Sequence, residues 1–121
     1  MKYVLLIIIL FFHSLSFAAD VEDKTKREIQ HLFKYLAKSN CEFNRNGVWY
    51  GPEEARKHIE KKYRYLNKLG LINSAEQFID RAASKSSMSG KSYLVRCGES
   101  TVPSSTWFSN ELKRFKDAYH D

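Results

Sequence analysis

Cys41-Glu42-Phe43-Asn44-Arg45-Asn46-Gly47-Val48-Trp49-Tyr50-Gly51-Pro52-Glu53-Glu54 holds the signals for a strand, a turn, a second strand and a helix start. Cys41, Phe43 and Arg45 alternate with Glu42 and Asn44, the period of a strand with one buried face. Asn46-Gly47 follows; both central residues of a two-residue hairpin turn need positive φ, which asparagine tolerates and glycine accepts freely. Across that turn Arg45 pairs with Val48 and Phe43 with Tyr50, so Cys41, Phe43, Val48 and Tyr50 are expected on one inward face. Trp49 then falls on the outer face beside Asn44, as cover for a helix or as a stacking platform for a sugar. Pro52 is pre-set for a first helical turn, and Glu53 and Glu54 complement its positive end.

Outward from this stretch the pattern is helical on both sides. Thr25, Ile29, Leu32, Phe33 and Leu36 recur at helical spacing and predict a first helix over Val21 to Lys38. Ala55, Ile59, Tyr63 and Leu66 form the stripe of a second helix that stops near Gly70. Ser74 with Gln77 three residues on is a capping-box start for a third helix burying Ala75, Phe78, Ile79 and Ala82 and ending near Lys85. The small residues from Ser84 to Gly90 read as a loop, followed by a strand in which Tyr93, Val95 and Cys97 share a face. Pro103 and Ser104 introduce a last helix packing Phe108, Leu112, Phe115 and Tyr119. The expected architecture is α+β: about four helices on a small antiparallel sheet made of the hairpin plus one strand.

The chain begins with Lys2, an apolar run from Val4 to Phe12, and small residues at Ser16 and Ala18. That predicts a secretory signal peptide over residues 1–18 with cleavage before Ala19, and a periplasmic domain over residues 19–121. The run is shorter than the roughly 20 residues a membrane span needs, and no stable membrane insertion is expected after cleavage. Cys41 and Cys97 are the two cysteines, and an even pair in a small exported domain is most simply one disulfide. A redox or metal role lacks the Cys-x-x-Cys spacing and the clustered histidines it requires, and no cofactor is expected.

The formal charge is +6 over 121 residues. Arg56, Lys57, Lys61, Lys62, Arg64 and Lys68 form one basic group, and Lys113, Arg114 and Lys116 a second. They suit an anionic protein or cell-envelope partner. They equally suit a solvated helix face, since Glu53, Glu54 and Glu60 are interleaved. Export leaves little nucleic acid within reach, so none is expected as a partner.

Three stretches together carry a resemblance: Phe43 with Asn46-Gly47, the string from Ser74 to Ala83, and Ser86-Ser87-Met88-Ser89-Gly90-Lys91-Ser92-Tyr93-Leu94-Val95-Arg96-Cys97. They resemble the YfeK-like family of small exported proteobacterial proteins, over nearly all of the chain beyond the signal. The resemblance implies a periplasmic α+β domain and supplies no activity, cofactor or catalytic residue.

Ser89-Gly90-Lys91-Ser92-Tyr93 is also similar to the Ser-Gly-x-x-Tyr loop of periplasmic lysozyme inhibitors, whose serine hydrogen-bonds the catalytic carboxylates. Gly90 permits a tight turn, a hydroxyl satisfies a carboxylate, and Tyr93 anchors the base. Ser86, Ser87, Ser89, Gly90, Lys91 and Tyr93 are therefore the candidate binding residues, with Ser86 to Gly90 expected as an exposed turn. The competing reading is a structural turn whose serines bond backbone groups. Catalysis would draw on His31, His58, His120, Glu76, Asp80 and the serines, but no spacing joins them and no nucleophile elbow is present. His31 and His58 are expected on the surface. The functional expectation is a non-catalytic binding or inhibitor-type module, the alternative a cell-wall-acting hydrolase.

Overall fold

A computed structural model describes residues 22–119, so the expected signal peptide and His120 lie outside the described residues. In chain order the elements are α1 (residues 22–38), β1 (Glu42–Arg45), β2 (Val48–Tyr50), α2 (Pro52–Lys68), α3 (Ala75–Ala82), β3 (Leu94–Cys97), β4 (Ser100–Pro103) and α4 (Ser104–Tyr119). The fold is α+β, with one antiparallel sheet in the order β2-β1-β3-β4.

Asn46 and Gly47 take φ of 52° and 86°, and Phe43 pairs with Tyr50 and Arg45 with Val48. The inward face departs from expectation at its tip: Phe43 is buried, but Val48, directly after the turn, is 52% exposed. β3 joins β1, setting Val95 opposite Phe43 beneath the helices. β4 extends the expected sheet by a strand. Gly98, with φ of 70°, reverses the chain, and Val102 pairs back onto Val95. Ser100-Thr101-Val102-Pro103 offers one inward apolar residue, and its proline suits an edge strand, so alternation there was too weak to read.

On the outer face the Arg96 guanidinium lies 3.9 Å over the Trp49 ring and 2.9 Å from Glu42. Trp49 is thus covered by an arginine and not by a helix. Arg96 points outward, opposite Val95, as strand alternation requires.

The helices bury the faces their spacing marks out. Ile29, Leu32 and Leu36 of α1, Ala55 and Ile59 of α2, Ala75, Phe78, Ile79 and Ala82 of α3, and Phe108 and Leu112 of α4 form one core. Phe78 sits at its centre, its ring 5.2 Å from Phe33, 5.4 Å from Tyr63 and 6.3 Å from Phe108. Tyr119 is 70% exposed and only flanks Phe115. Ser74 Oγ accepts from Gln77 N at 3.0 Å, while Gln77 Oε1 accepts from Asn73 N at 2.8 Å, one residue earlier than an ideal capping box. α3 ends at Ala82, before the expected Lys85, where Ser84 Oγ donates to Ile79 O and competes with the helix ladder.

Cys41 and Cys97 are bonded, with Cα atoms 4.4 Å apart. They lie one step beyond the Glu42–Arg96 pair, so the bridge continues the β1–β3 ladder. Cys41 is buried, whereas Cys97, bonded to it on the face of Phe43 and Val95, is exposed because it stands at the end of β3 beside the Gly98 turn.

Candidate functional site

The serine-rich segment is tied down at its root and open at its tip. Ser86 N donates to Lys91 O, Gly90 N to Ser86 O and Tyr93 N to Ser84 O, each at 2.9 Å. Ser86, expected in an exposed turn, is 5% exposed. Its Oγ accepts from Met88 N, Ser89 N and Asn46 Nδ2, each at 3.3 Å. Ser89 Oγ donates to Asn46 Oδ1 at 2.5 Å and accepts from Lys91 N at 3.2 Å. The loop is therefore clipped onto the β1–β2 turn by Asn46, a partner that lies far away in the sequence. Ser87, Met88, Ser89, Gly90 and Lys91 are exposed, Met88 to 98%.

Tyr93, at the base of this loop, is 5% exposed and opens onto a second feature. A cavity of about 270 Å³ lies between the β1–β2 hairpin and α2, with Phe43, Tyr50, Ile59 and Tyr93 among its lining residues. Arg45, Lys57, His58, Lys61 and Glu54 also line it, as does Ser104, the first residue of α4. Arg45 Nη1 lies 2.8 Å from His58 Nδ1 and 3.2 Å from Nε2, and its guanidinium lies 5.4 Å from the centre of the Tyr50 ring. His58 Nε2 is 3.1 Å from Tyr93 Oη. An arginine only donates, so a ring nitrogen that takes its hydrogen carries no proton. Burial first, then the charges of Arg45, Lys62 and Lys61, hold His58 below the usual imidazole range. Burial raises the Tyr93 phenol, against Arg45, so it remains protonated at neutral pH.

Neither described histidine has the surface position expected of it. His31 stacks on Phe115 with centroids 4.1 Å apart, and its Nε2 is 2.5 Å from Glu111 Oε2. Glu111 is 4% exposed and also receives Arg114, whose hydrogen bonds hold its carboxyl below the usual range. Asp80 and Glu76 are not brought to either histidine; Glu76 is paired with Lys116 at 2.9 Å. Among the described residues no cluster of three or more His, Cys, Asp or Glu forms a metal site.

The basic residues separate by partner. Arg56 is held by Glu53 and Glu60, Lys116 by Glu76 and Glu28, and Lys62 donates to Lys85 O at 2.7 Å. Arg45, Lys57 and Lys61 make no ion pair with a described residue, and all three line the cavity. Sequence reasoning missed this site. Its one local signal was Arg45 at an inward strand position.

Residues 23–116, from α1 to the last turns of α4, match the family of unknown function DUF5329. The chain belongs to the DUF5329 family. This chain is also 40% identical over 76 residues to the uncharacterized protein YfeK of Salmonella typhimurium, covering 62% of each chain. The chain thus spans somewhat less than two thirds of that relative's length. No solved structure matches. Among the described residues of this DUF5329 protein no helix is long and apolar enough to cross a membrane.

Proposed function

We propose that this is an exported, non-catalytic binding protein of the periplasm, recognising a protein or cell-envelope component through the segment from Ser86 to Tyr93. The observation that carries the reading is the clamped loop: Ser86 and Asn46 hold its root, while Ser87, Met88 and Lys91 project into solvent. A loop ordered before binding loses little conformational entropy on docking, so few contacts suffice for affinity. Lys85 and Lys91 flank it and favour an acidic partner surface. Ser89 already donates its proton to Asn46, so contact falls to Ser87, Met88 and Lys91, and a lysozyme-inhibitor use of Ser89 requires that bond to open. The described histidines are occupied by Glu111, Arg45 and Tyr93, which favours binding over hydrolysis. The leader sequence and the disulfide support export.

The test is surface plasmon resonance of the oxidised protein against solubilised envelope fractions and a panel of lysozymes. Saturable binding is expected, and Met88→Glu is expected to abolish it while leaving the melting temperature unchanged, because exposed substitutions rarely affect folding. Undiminished binding by Met88→Glu would place recognition elsewhere.

A further inference from the structure

The cavity between the hairpin and α2 has a composition that the projecting loop does not explain. Its walls are rings and aliphatic side chains: Phe43, Tyr50 and Ile59. Its charged groups are Arg45, Lys57 and Lys61 against the single carboxylate of Glu54. Arg45 is half-buried, yet its contacts are the His58 ring nitrogens and the Tyr50 face, and no described carboxylate lies within ion-pair distance. A partly desolvated guanidinium without a counter-charge attracts an oxyanion strongly, because its planar fork fits carboxylate and phosphate.

A second observation is independent of these cations. Ser104 is fully buried and lines the same cavity, and its Oγ has no hydrogen-bond partner among the described residues. Its backbone N–H is used by Tyr93 O at 2.8 Å, so the hydroxyl is the group left over. It stands on the first residue of α4, a 16-residue helix whose positive end favours negative charge. Buried hydroxyls are almost always bonded, and an unmade bond there is unfavourable until some acceptor or donor arrives.

We propose that this cavity binds a small organic anion, its carboxylate or phosphate held by Arg45 and the Ser104 hydroxyl and its apolar body packed on Phe43, Tyr50 and Ile59. Lys57 and Lys61, exposed on α2, draw the anion in, and together with Arg45 they outweigh the one carboxylate of Glu54. A volume of about 270 Å³ is that of about nine waters, which accommodates a molecule of about ten non-hydrogen atoms. The site shares Tyr93 with the base of the Met88 loop, but its occupancy does not require the loop to bind anything.

Octanoate and phenyl phosphate have about the right size, and n-octanol and inorganic phosphate control for the body and the head alone. Isothermal titration of the oxidised protein is expected to give a Kd below about 1 mM for at least one of the two organic anions, and which one binds tells carboxylate from phosphate. Neither control is expected to bind comparably. Arg45→Gln is expected to weaken binding about tenfold or more, in keeping with loss of a charged hydrogen bond. Ser104→Ala is expected to weaken it about fivefold while leaving the unliganded melting temperature unchanged or higher, because it removes an unpaired buried hydroxyl. Lys57→Gln, on an exposed position where folding is not at stake, is expected to weaken it about twofold. The proposal is overturned if neither organic anion binds at about 10 mM, if n-octanol binds equally well, or if Arg45→Gln and Lys57→Gln both bind like the unmodified protein. A lowered unliganded melting temperature for Ser104→Ala would make that hydroxyl structural and remove it from the site.

Discussion

His58 is the residue whose environment most changes what it can do. An exposed histidine titrates near pH 6.5, but burial and the neighbouring cations favour the neutral ring here. Its folded pKa is therefore depressed, so its contribution to stability is complete above about pH 6.5 and is lost as pH falls through the folded value. The melting temperature is expected to drop between pH 7 and pH 5, and His58→Gln to flatten that part of the profile. A second decline should follow below the ordinary carboxylate value of 4.5, where Glu76 loses its hydrogen bond to Lys116 and Glu111 its bonds to Arg114. Calorimetry across pH on both proteins checks the two windows. The periodicity of α2 placed His58 beside, not on, the apolar stripe, and nothing local announced that Arg45 and Tyr93 would enclose it.

At the scale of elements, local chemistry was legible wherever it is self-contained. The Asn46-Gly47 turn sets its own register, and Ser74 begins α3 whatever lies around it. Ser74→Ala removes the acceptor for Gln77 N, and the expected cost is about 1 kcal/mol. Urea denaturation should show the midpoint falling with an unchanged slope. β4 was not legible, because an edge strand needs only one buried side chain and takes its pairing from β3. The serine loop was legible as a turn but not as a clamped one: Ser86 is buried and its hydroxyl accepts from Asn46, a contact that joins segments forty residues apart.

For the whole molecule the disulfide is a covalent long-range tie, joining the start of the first hairpin to the second across 56 residues. Closing a loop of that length stabilises the fold by about 4 kcal/mol in the chain-entropy account. Cys41→Ser with Cys97→Ser is expected to lower stability by roughly that amount and to leave the wild-type affinity of the cavity for its anion intact at temperatures below the new transition. A thermal melt of the double variant, with titration at low temperature, checks both parts. Loss of that affinity in a still-folded variant would mean that the bridge also shapes the site.

The amino-acid sequence by itself determined the helices, the first hairpin, the inward stripes and the pairing of two cysteines, because each depends on a period, a turn residue or a count. Only the tertiary structure decided which charges are used up and which are left. Arg56 and Lys116 are neutralised by carboxylates, while Arg45, Lys57 and Lys61 gather around one cavity with a buried hydroxyl. The physical reason is that charge pairing and burial depend on distance in space, and α2 meets the hairpin and the start of α4 only after the chain has folded.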